Sequence, residues 1–218
     1  MATVYATTAD SWVRNTSSTS WADVQGDVDT VGTLHNNSQT SYAFGIYNIY
    51  TSGRGGAAWT IQRSYLPFDL SGESGTIDTV SLNVYMDNVG STGIPSHVIA
   101  VEATALAGST SDFGNVYTAG TTFGTAISSS VAASTTAGWH TFTIQPAGKT
   151  AIQNQIGSGT ITIAIIGYAY DFGGSSPPLN SYYTKIEINY ADGLRDPYLT
   201  INYATAVTDN ATFFGANF

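Results

Sequence analysis

The chain has 218 residues, of which only 10% are charged, and it carries a net charge of −9 with six Lys and Arg in total. Such a chain has no basic cluster, so we expect neither nucleic-acid binding nor attraction to anionic membranes. It contains no cysteine, which excludes disulfides and thiol catalysis. The length suits one β-rich domain.

Alternating apolar and polar residues predict most of the fold. In RSYLPFDL (63–70), Leu66, Phe68 and Leu70 alternate with polar or turn-forming residues, and Leu82 and Val84 follow the same rule in the next segment. A period of two indicates a strand with one buried face. The predicted strands cover residues 3–8, 11–14, 41–50, 57–69, 76–87, 97–104, 139–145, 159–169, 182–190 and 197–203. The predicted core contains Leu66, Phe68, Val80, Leu82, Val84, Ile161, Ile163, Ile165, Leu199 and Ile201.

About ten strands, with at most one short helix at 147–156, predict an antiparallel β-sandwich. Residues 15–40 and 105–138 lack strand patterns and are expected to be long loops. The apolar run at 159–170 is too short to span a membrane, so we expect no membrane insertion.

The C-terminal segment differs from the rest. We predict a single sandwich domain at 1–203 and a tail at 204–218 that contains Phe213, Phe214 and Phe218. Each phenylalanine left in water forfeits roughly 1.5–3 kcal/mol relative to burial. We therefore expect the tail to contact another copy of the chain or another particle protein, the alternative being that it folds back on its own sandwich.

An acidic stretch is the one candidate for metal binding. Asp23, Asp27 and Asp29 lie in DVQGDVD, where Gly26 permits a sharp turn. Hard oxygen ligands at this spacing suit calcium, although the spacing is not that of an EF-hand. A solvated acidic loop is the alternative, and no other cofactor is predicted.

The sequence shows no catalytic motif. It lacks the zinc-protease, nucleophile-elbow, phosphate-loop and dinucleotide patterns, and its three histidines, His35, His97 and His140, are far apart. We therefore predict that the protein is not an enzyme.

Aromatic residues offer a route to glycan binding, because sugar rings stack on exposed aromatic side chains. The candidate residues are Trp21, Tyr47, Tyr50, Tyr117 and Phe172. Tyr65 and Tyr85 are also expected to face outward. Trp12, Trp59 and Trp139 are expected to lie in the core, as large aromatic residues usually do.

The order of five motifs resembles that of DNRLRE-type domains, which are jelly-roll β-sandwiches related to carbohydrate-binding modules. The motifs are ADSWV (9–13), RSYLPFDLS (63–71), TIDTVSLNVY (76–85), WHTFTI (139–144) and PYLTINY (197–203). Asp10 takes the place of the early Asp of that family. The block at 111–124 and the ending Gly193–Leu199 resemble the version seen in phage-encoded and metagenomic proteins. The resemblance implies a jelly-roll fold and glycan-binding relatives.

These observations together predict a non-enzymatic structural protein of a phage particle. The start MATVYATTADSW has no secretory pattern, so we expect synthesis in the host cytoplasm and a final location in the virion. The role would be that of a capsid decoration, head-fibre or tail-associated protein that contacts host surface glycans. Its partners would be other particle proteins or copies of itself. The alternative is a free-standing extracellular carbohydrate-binding or adhesion module.

Overall fold

The computed structural model describes residues 1–17, 20–26, 33–36, 44–53, 56–86, 97–105, 110–119, 122–132, 138–176, 181–188 and 195–205. This part of the chain contains fourteen strands and two short α-helices. The strands are β1 (Ala2–Tyr5), β2 (Ser11–Ser17), β3 (Thr33–Asn36), β4 (Phe44–Gly53), β5 (Gly56–Asp69), β6 (Ile77–Met86), β7 (His97–Ala103), β8 (Tyr117–Ala119), β9 (Thr122–Phe123), β10 (Val131–Ala132), β11 (Gly138–Thr143), β12 (Thr160–Gly167), β13 (Ser181–Ile188) and β14 (Tyr198–Tyr203). The helices are α1 (Trp21–Gly26) and α2 (Pro146–Gln153). The chain also forms a 3₁₀ turn (Thr110–Val116) and a π-helical turn (Tyr168–Phe172).

The first layer of the sandwich contains four antiparallel strands. β1 pairs with β14, and β14 pairs with one edge of β6. The other edge of β6 pairs with β11, so the order across the layer is β1–β14–β6–β11.

The second layer is built on the long strand β5. Its order is β3–β2–β5–β12–β7–β10, again antiparallel. The first half of β5 pairs with β4 on the edge where its second half pairs with β12. β4 continues to β13, which meets β6 at a single pair, Ile188 with Met86. These contacts join twelve strands into one hydrogen-bonded network, while β8 and β9 form a separate hairpin.

The main core lies between the two layers. Because side chains alternate along a strand, Leu66 and Phe68 of β5 meet Leu82 of β6 and Leu199 of β14 there. α2 covers one end of this core with Ile152, and its proline stands in the first turn, where no backbone N–H is needed.

A second core lies on the opposite face of the second layer. Along β12, Ile163 and Ile165 face the main core, whereas Ala164 and Ile166 face the second core. The second core is closed by α1, the 3₁₀ turn, the β8–β9 hairpin and the π-helical turn, which we call the cap (residues 21–26, 110–119, 122–123 and 168–172). The central sheet is therefore buried on both faces.

The predicted all-β sandwich is confirmed. Of the predicted core residues, all are buried except Val80, which is half-buried and packs against the core. The segments 15–40 and 105–138 contain, within their described residues, more regular structure than expected, including the helix α1. Residues 206–218, with Phe213, Phe214 and Phe218, lie outside the described residues, so the docking of the tail stays a prediction. No helix among the described residues is long and apolar enough to cross a membrane.

Candidate functional site

The outer face of the first layer carries the candidate site. In β14, Leu199 and Ile201 are buried in the core, so Tyr198 and Thr200 project from the other face. In β11, Phe142 is buried while Trp139 is exposed. The face away from the core is thus lined by side chains from strands that are distant in the sequence.

Four aromatic rings form a continuous row across this face. Tyr5 lies opposite Tyr198 in the β1–β14 register, and their ring centroids are 5.7 Å apart. The ring centroid of Trp139 lies 5.1 Å from that of Tyr198. Trp139 also stands opposite Tyr85 in the β6–β11 register, and their ring centroids are 5.6 Å apart. In order of contact the four rings are Tyr5, Tyr198, Trp139 and Tyr85, which we call the aromatic row.

Much of this row is open to water. Tyr5 is 58% exposed and Trp139 is 45% exposed, while Tyr85 and Tyr198 are half-buried. The guanidinium carbon of Arg195 lies 4.3 Å from the centroid of the Tyr85 ring, a cation–π contact that closes one end of the row. Exposed aromatic surface that is continuous across strands makes this face a candidate binding surface.

Uncharged polar groups lie beside the aromatic row. Asn83 donates from Nδ2 to Thr200 Oγ1 at 3.2 Å, and it accepts from Thr141 Oγ1 at 2.9 Å. Farther along the face, Asn202 donates to Thr79 Oγ1 at 2.8 Å. Asn83 itself is buried and holds its neighbours in place. The hydroxyls of Thr79 and Thr141, which are exposed, and of Thr200, which is half-buried, can exchange hydrogen bonds with a ligand. The chemistry of the face is therefore ring stacking with neutral hydrogen bonding.

The sequence matches no family model and no curated protein. The resemblance to DNRLRE-type domains stays a prediction that rests on the order of the motifs.

The glycan-binding residues predicted from the sequence do not form this site. The expected exposure is wrong for Trp21 and Tyr117, which are 5% and 6% exposed and belong to the second core. Phe172 is half-buried and packs against Phe123 in a tilted geometry, with their ring centroids 5.1 Å apart. The reason is that the segments expected to be loops build the cap over the central sheet. The side chains of Tyr47 and Tyr50 lie outside the described part of the structure.

Two other aromatic assignments are reversed. Trp139 was expected in the core but is exposed, and Tyr65 was expected outside but is fully buried. Trp139 stands three positions before Phe142, so the two must face opposite sides of β11. That spacing was a usable signal. The expectations for Trp12, which is buried, and for Tyr85, which is half-buried and faces outward, are confirmed. Trp59, expected in the core, is half-buried and packs against the second core.

A buried ion pair at the centre of the cap is the most polar cluster of the second core. Arg63 and Asp171 are both fully buried and form a two-pronged contact, with N–O distances of 2.8 Å and 2.7 Å. Arg63 also donates to the Phe113 carbonyl at 2.9 Å and to the Tyr117 hydroxyl at 2.8 Å. Burial alone would lower the pKa of Arg63, but the carboxylate of Asp171 outweighs this effect and raises it. The guanidinium therefore stays charged and joins four segments of chain.

This ion pair has a structural role in the geometry observed. Its partners are backbone and side-chain groups of the cap, and aromatic rings enclose it, with the Arg63 guanidinium carbon 3.9 Å from the Phe113 ring centroid. Because both charged groups are sealed from solvent, a ligand has no direct approach to them.

The predicted calcium loop is described only at its start. Asp23 lies exposed in the first turn of α1, where its backbone N–H donates to Ser20 Oγ at 3.1 Å. Asp27 and Asp29 lie outside the described residues, so calcium binding by this loop stays a prediction. No group of three His, Cys, Asp or Glu side chains arranged for a metal ion is found in the described ranges.

One buried carboxyl group titrates far from its usual range. Asp10, just before β2, is 3% exposed. Burial, together with the negative charge of Asp196, raises the pKa of Asp10 to about 7. The folded protein thus holds a proton on Asp10 more tightly than the unfolded chain does.

We expect this group to make folding stability depend on pH. A carboxyl group with a raised folded pKa contributes stability below its unfolded pKa of about 4 and loses that contribution as pH rises through about 7. Urea unfolding at pH 5 and pH 8, in buffer with chelator, should therefore show wild type losing more stability than Asp10→Asn between the two values. Parallel losses in the two proteins would contradict the assignment.

Proposed function

We propose that this protein is a non-catalytic, glycan-binding β-sandwich that holds a neutral glycan against the aromatic row. The observation that carries the proposal is the continuous contact of Tyr5, Tyr198, Trp139 and Tyr85, which come from the four strands of the first layer, with Tyr5 and Trp139 exposed to water. Sugar rings present apolar C–H faces to aromatic rings and hydroxyls to amides. The row supplies the first kind of partner, and the hydroxyls of Thr141 and Thr200, together with the Asn202 amide farther along the face, supply the second.

Packing within the sheet explains only part of this arrangement. Cross-strand aromatic pairs stabilise a sheet by about 0.2–1 kcal/mol each, and the tilted and edge-on ring contacts of the row contribute in this way. That role does not require the rings to be exposed. Keeping apolar ring surface in water costs about 25 cal/mol per Å², which a ligand stacked on Trp139 and Tyr5 would recover.

Charge favours a neutral ligand over an ionic one. The chain carries −9 overall, and Arg195 is the one cation that contacts the row among the described residues. An acidic polysaccharide would meet net repulsion, whereas a neutral glycan depends on stacking and hydrogen bonds alone. Binding should therefore vary little with ionic strength.

The setting in a phage particle is a separate proposal, which rests on the resemblance in the motif order. The same aromatic row would serve a particle protein that holds host surface glycans or a free-standing adhesion module. Co-purification of the protein with assembled particles would support the first setting. Recovery in soluble form from the extracellular medium, with no particle present, would support the second.

The binding proposal can be tested by retention on immobilised neutral polysaccharides. Wild type should be retained, and Trp139→Ala should lose most of its retention because the centre of the row is removed. Tyr168→Ala is a matched control, since Tyr168 is 41% exposed but lies in the cap. It should bind like wild type.

Three results would count against the proposal. Wild type could fail to bind any polysaccharide in the panel, its binding could collapse when salt is raised to 0.5 M, or both variants could lose retention equally. A protein partner captured by the row in place of a glycan would also overturn it, since aromatic residues are enriched in protein interfaces as well.

A further inference from the structure

A pocket opens in the second layer at the point where β7 separates from β12. The pairing of the two strands ends with Thr162 opposite Ala103. Beyond that pair β7 turns away, because the Thr104 N–H donates to the Asn115 carbonyl at 2.8 Å and not to β12. The turn that follows α2 adds Gln155 to the wall. We call this the β7–β12 pocket, and it is lined by Glu102, Ala103, Thr104, Gln155, Thr160, Ile161 and Thr162.

The β7–β12 pocket has room for one small molecule. Its volume is about 240 Å³, many times the ~10–15 Å³ that a single water needs and just below the ~300 Å³ at which sites for drug-sized ligands begin. The backbone around it is fixed: Glu102 N–H donates to the Thr125 carbonyl at 2.8 Å, and Gly159 N–H donates to the Gln155 carbonyl at 3.1 Å. A ligand therefore meets a preformed site.

Several polar side chains of the pocket have unused hydrogen-bonding capacity. Glu102 is half-buried, and in the described part of the chain its carboxylate has neither a cation nor a hydrogen-bond donor against it. Thr162 is 8% exposed, and within the same ranges its hydroxyl has no partner. The side chains of Gln155 and Thr160 are unpaired there as well, whereas the Thr104 hydroxyl donates to the Asn115 carbonyl. Because buried polar groups are nearly always satisfied, these side chains indicate a polar ligand.

The charge of the pocket selects among polar ligands. Glu102 is the one ionisable residue that lines it, and the chain carries −9 overall, so an anion would be repelled. A neutral molecule would leave the carboxylate without a counter-charge. A single carboxylate also supplies little charge for a divalent metal ion, whose affinity depends on the number of charged ligands. The ligand that fits is a monovalent organic cation with polar groups of its own.

We propose that the β7–β12 pocket binds a small protonated amine that carries several hydroxyl groups, and that an amino sugar is the class that uses the whole site. The ammonium group pairs with the Glu102 carboxylate, a charge-assisted contact, and the hydroxyls bond Gln155, Thr160 and Thr162. A short amino alcohol shares the ammonium group but has too few hydroxyls for these partners. The pocket has no residue in common with the aromatic row, and this proposal does not depend on the binding of a neutral glycan there.

Calorimetric titration of glucosamine into the full chain tests the proposal, at about pH 6, where an amine of ordinary pKa is protonated. Glucosamine should bind with one-to-one stoichiometry, and added salt should weaken its binding because the carboxylate is only half-buried. Glucose lacks the ammonium group and should bind at least about tenfold more weakly, the usual weight of a hydrogen bond to a charged group. Ethanolamine has one hydroxyl and should also bind about tenfold more weakly, which separates an amino sugar from an amino alcohol.

Four variants locate the site. Glu102→Gln should weaken glucosamine binding at least about tenfold. Thr162→Val replaces the hydroxyl by a methyl group and should weaken binding about threefold to tenfold without lowering the melting temperature. Asp78→Asn removes a charge from an exposed position of β6, and Trp139→Ala removes the centre of the aromatic row; both should bind glucosamine like wild type. If Glu102→Gln does not fold, Thr162→Val decides the question.

The proposal is overturned if glucosamine shows no binding at millimolar concentrations, or if glucose or ethanolamine binds as tightly as glucosamine. Full affinity in Glu102→Gln or Thr162→Val would also overturn it. Loss of glucosamine binding in Trp139→Ala would place the amino sugar at the aromatic row, and displacement of glucosamine by an equal concentration of calcium chloride would assign the pocket to an inorganic cation. Either result contradicts the proposal.

Discussion

Replacing Asp171 with Asn should lower the free energy of unfolding by about 3–5 kcal/mol, the usual cost of leaving one charge of a buried pair without its partner. Arg63 is fully buried and would keep its positive charge, because no other carboxylate contacts it among the described residues. Its remaining partners, the carbonyls of Phe113 and Gln25 and the Tyr117 hydroxyl, are neutral. The cap should be the first part to unfold, because these contacts hold it against the central sheet.

Urea unfolding followed by circular dichroism and by tryptophan fluorescence measures this loss. Trp21 lies in the cap and is buried, so the fluorescence that is lost in a Trp21→Phe background should report cap release at lower urea than the loss of β-structure. Asp69→Asn is the control, since Asp69 is exposed at the end of β5, and it should change stability by under about 0.5 kcal/mol. A loss below about 1 kcal/mol for Asp171→Asn would show that the ion pair does not hold the cap.

The second large effect concerns the two faces of β11. Phe142→Ala should destabilise the protein by about 3–5 kcal/mol, because it opens a cavity in the main core, where Phe142 is fully buried. Trp139→Ala on the same strand should cost about 1 kcal/mol, mainly its ring contacts with Tyr85 and Tyr198.

The two variants should therefore behave in opposite ways. Phe142→Ala loses stability but, when measured well below its melting temperature, retains glycan binding. Trp139→Ala retains most of its stability but loses binding. Equal destabilisation by both substitutions, measured by chemical unfolding at 25 °C, would contradict the assignment of Trp139 to the outer face.

The sandwich could be predicted from the sequence because its strands alternate cleanly. In each strand the apolar residues fall on every second position and so indicate one buried face. The pairs are Leu66 and Phe68, Leu82 and Val84, and Leu199 and Ile201. β12 is different, since its buried residues face two cores and give an unbroken apolar run. The run was correctly assigned to a buried strand.

The cap could not be predicted in the same way. Its segments are short and polar overall, and only isolated apolar residues such as Trp21, Phe113 and Val116 are buried in the second core. α1 has six residues, too few to show a helical period. The partner of Arg63 is set by the π-helical turn, which places Asp171 over β5 from a distant part of the sequence.

The aromatic row was missed because it depends on strand register. Tyr5, Tyr85, Trp139 and Tyr198 come from four strands, and no local pattern reveals which residues lie opposite one another. Tyr5 and Tyr198, for example, become neighbours only through the pairing of β1 with β14.

The central claim is that a neutral glycan binds at the aromatic row, and NMR of the tryptophan indole N–H groups tests it most directly. The chain has four tryptophans, and Trp139 is the one that belongs to the row. Titration with the oligosaccharide of the retaining polysaccharide should shift the Trp139 signal. The Trp21 signal should stay fixed, since that buried indole donates to the Tyr170 carbonyl at 3.2 Å. A Trp139 signal that does not move under saturating oligosaccharide, while the Trp21 signal shifts, would contradict the account.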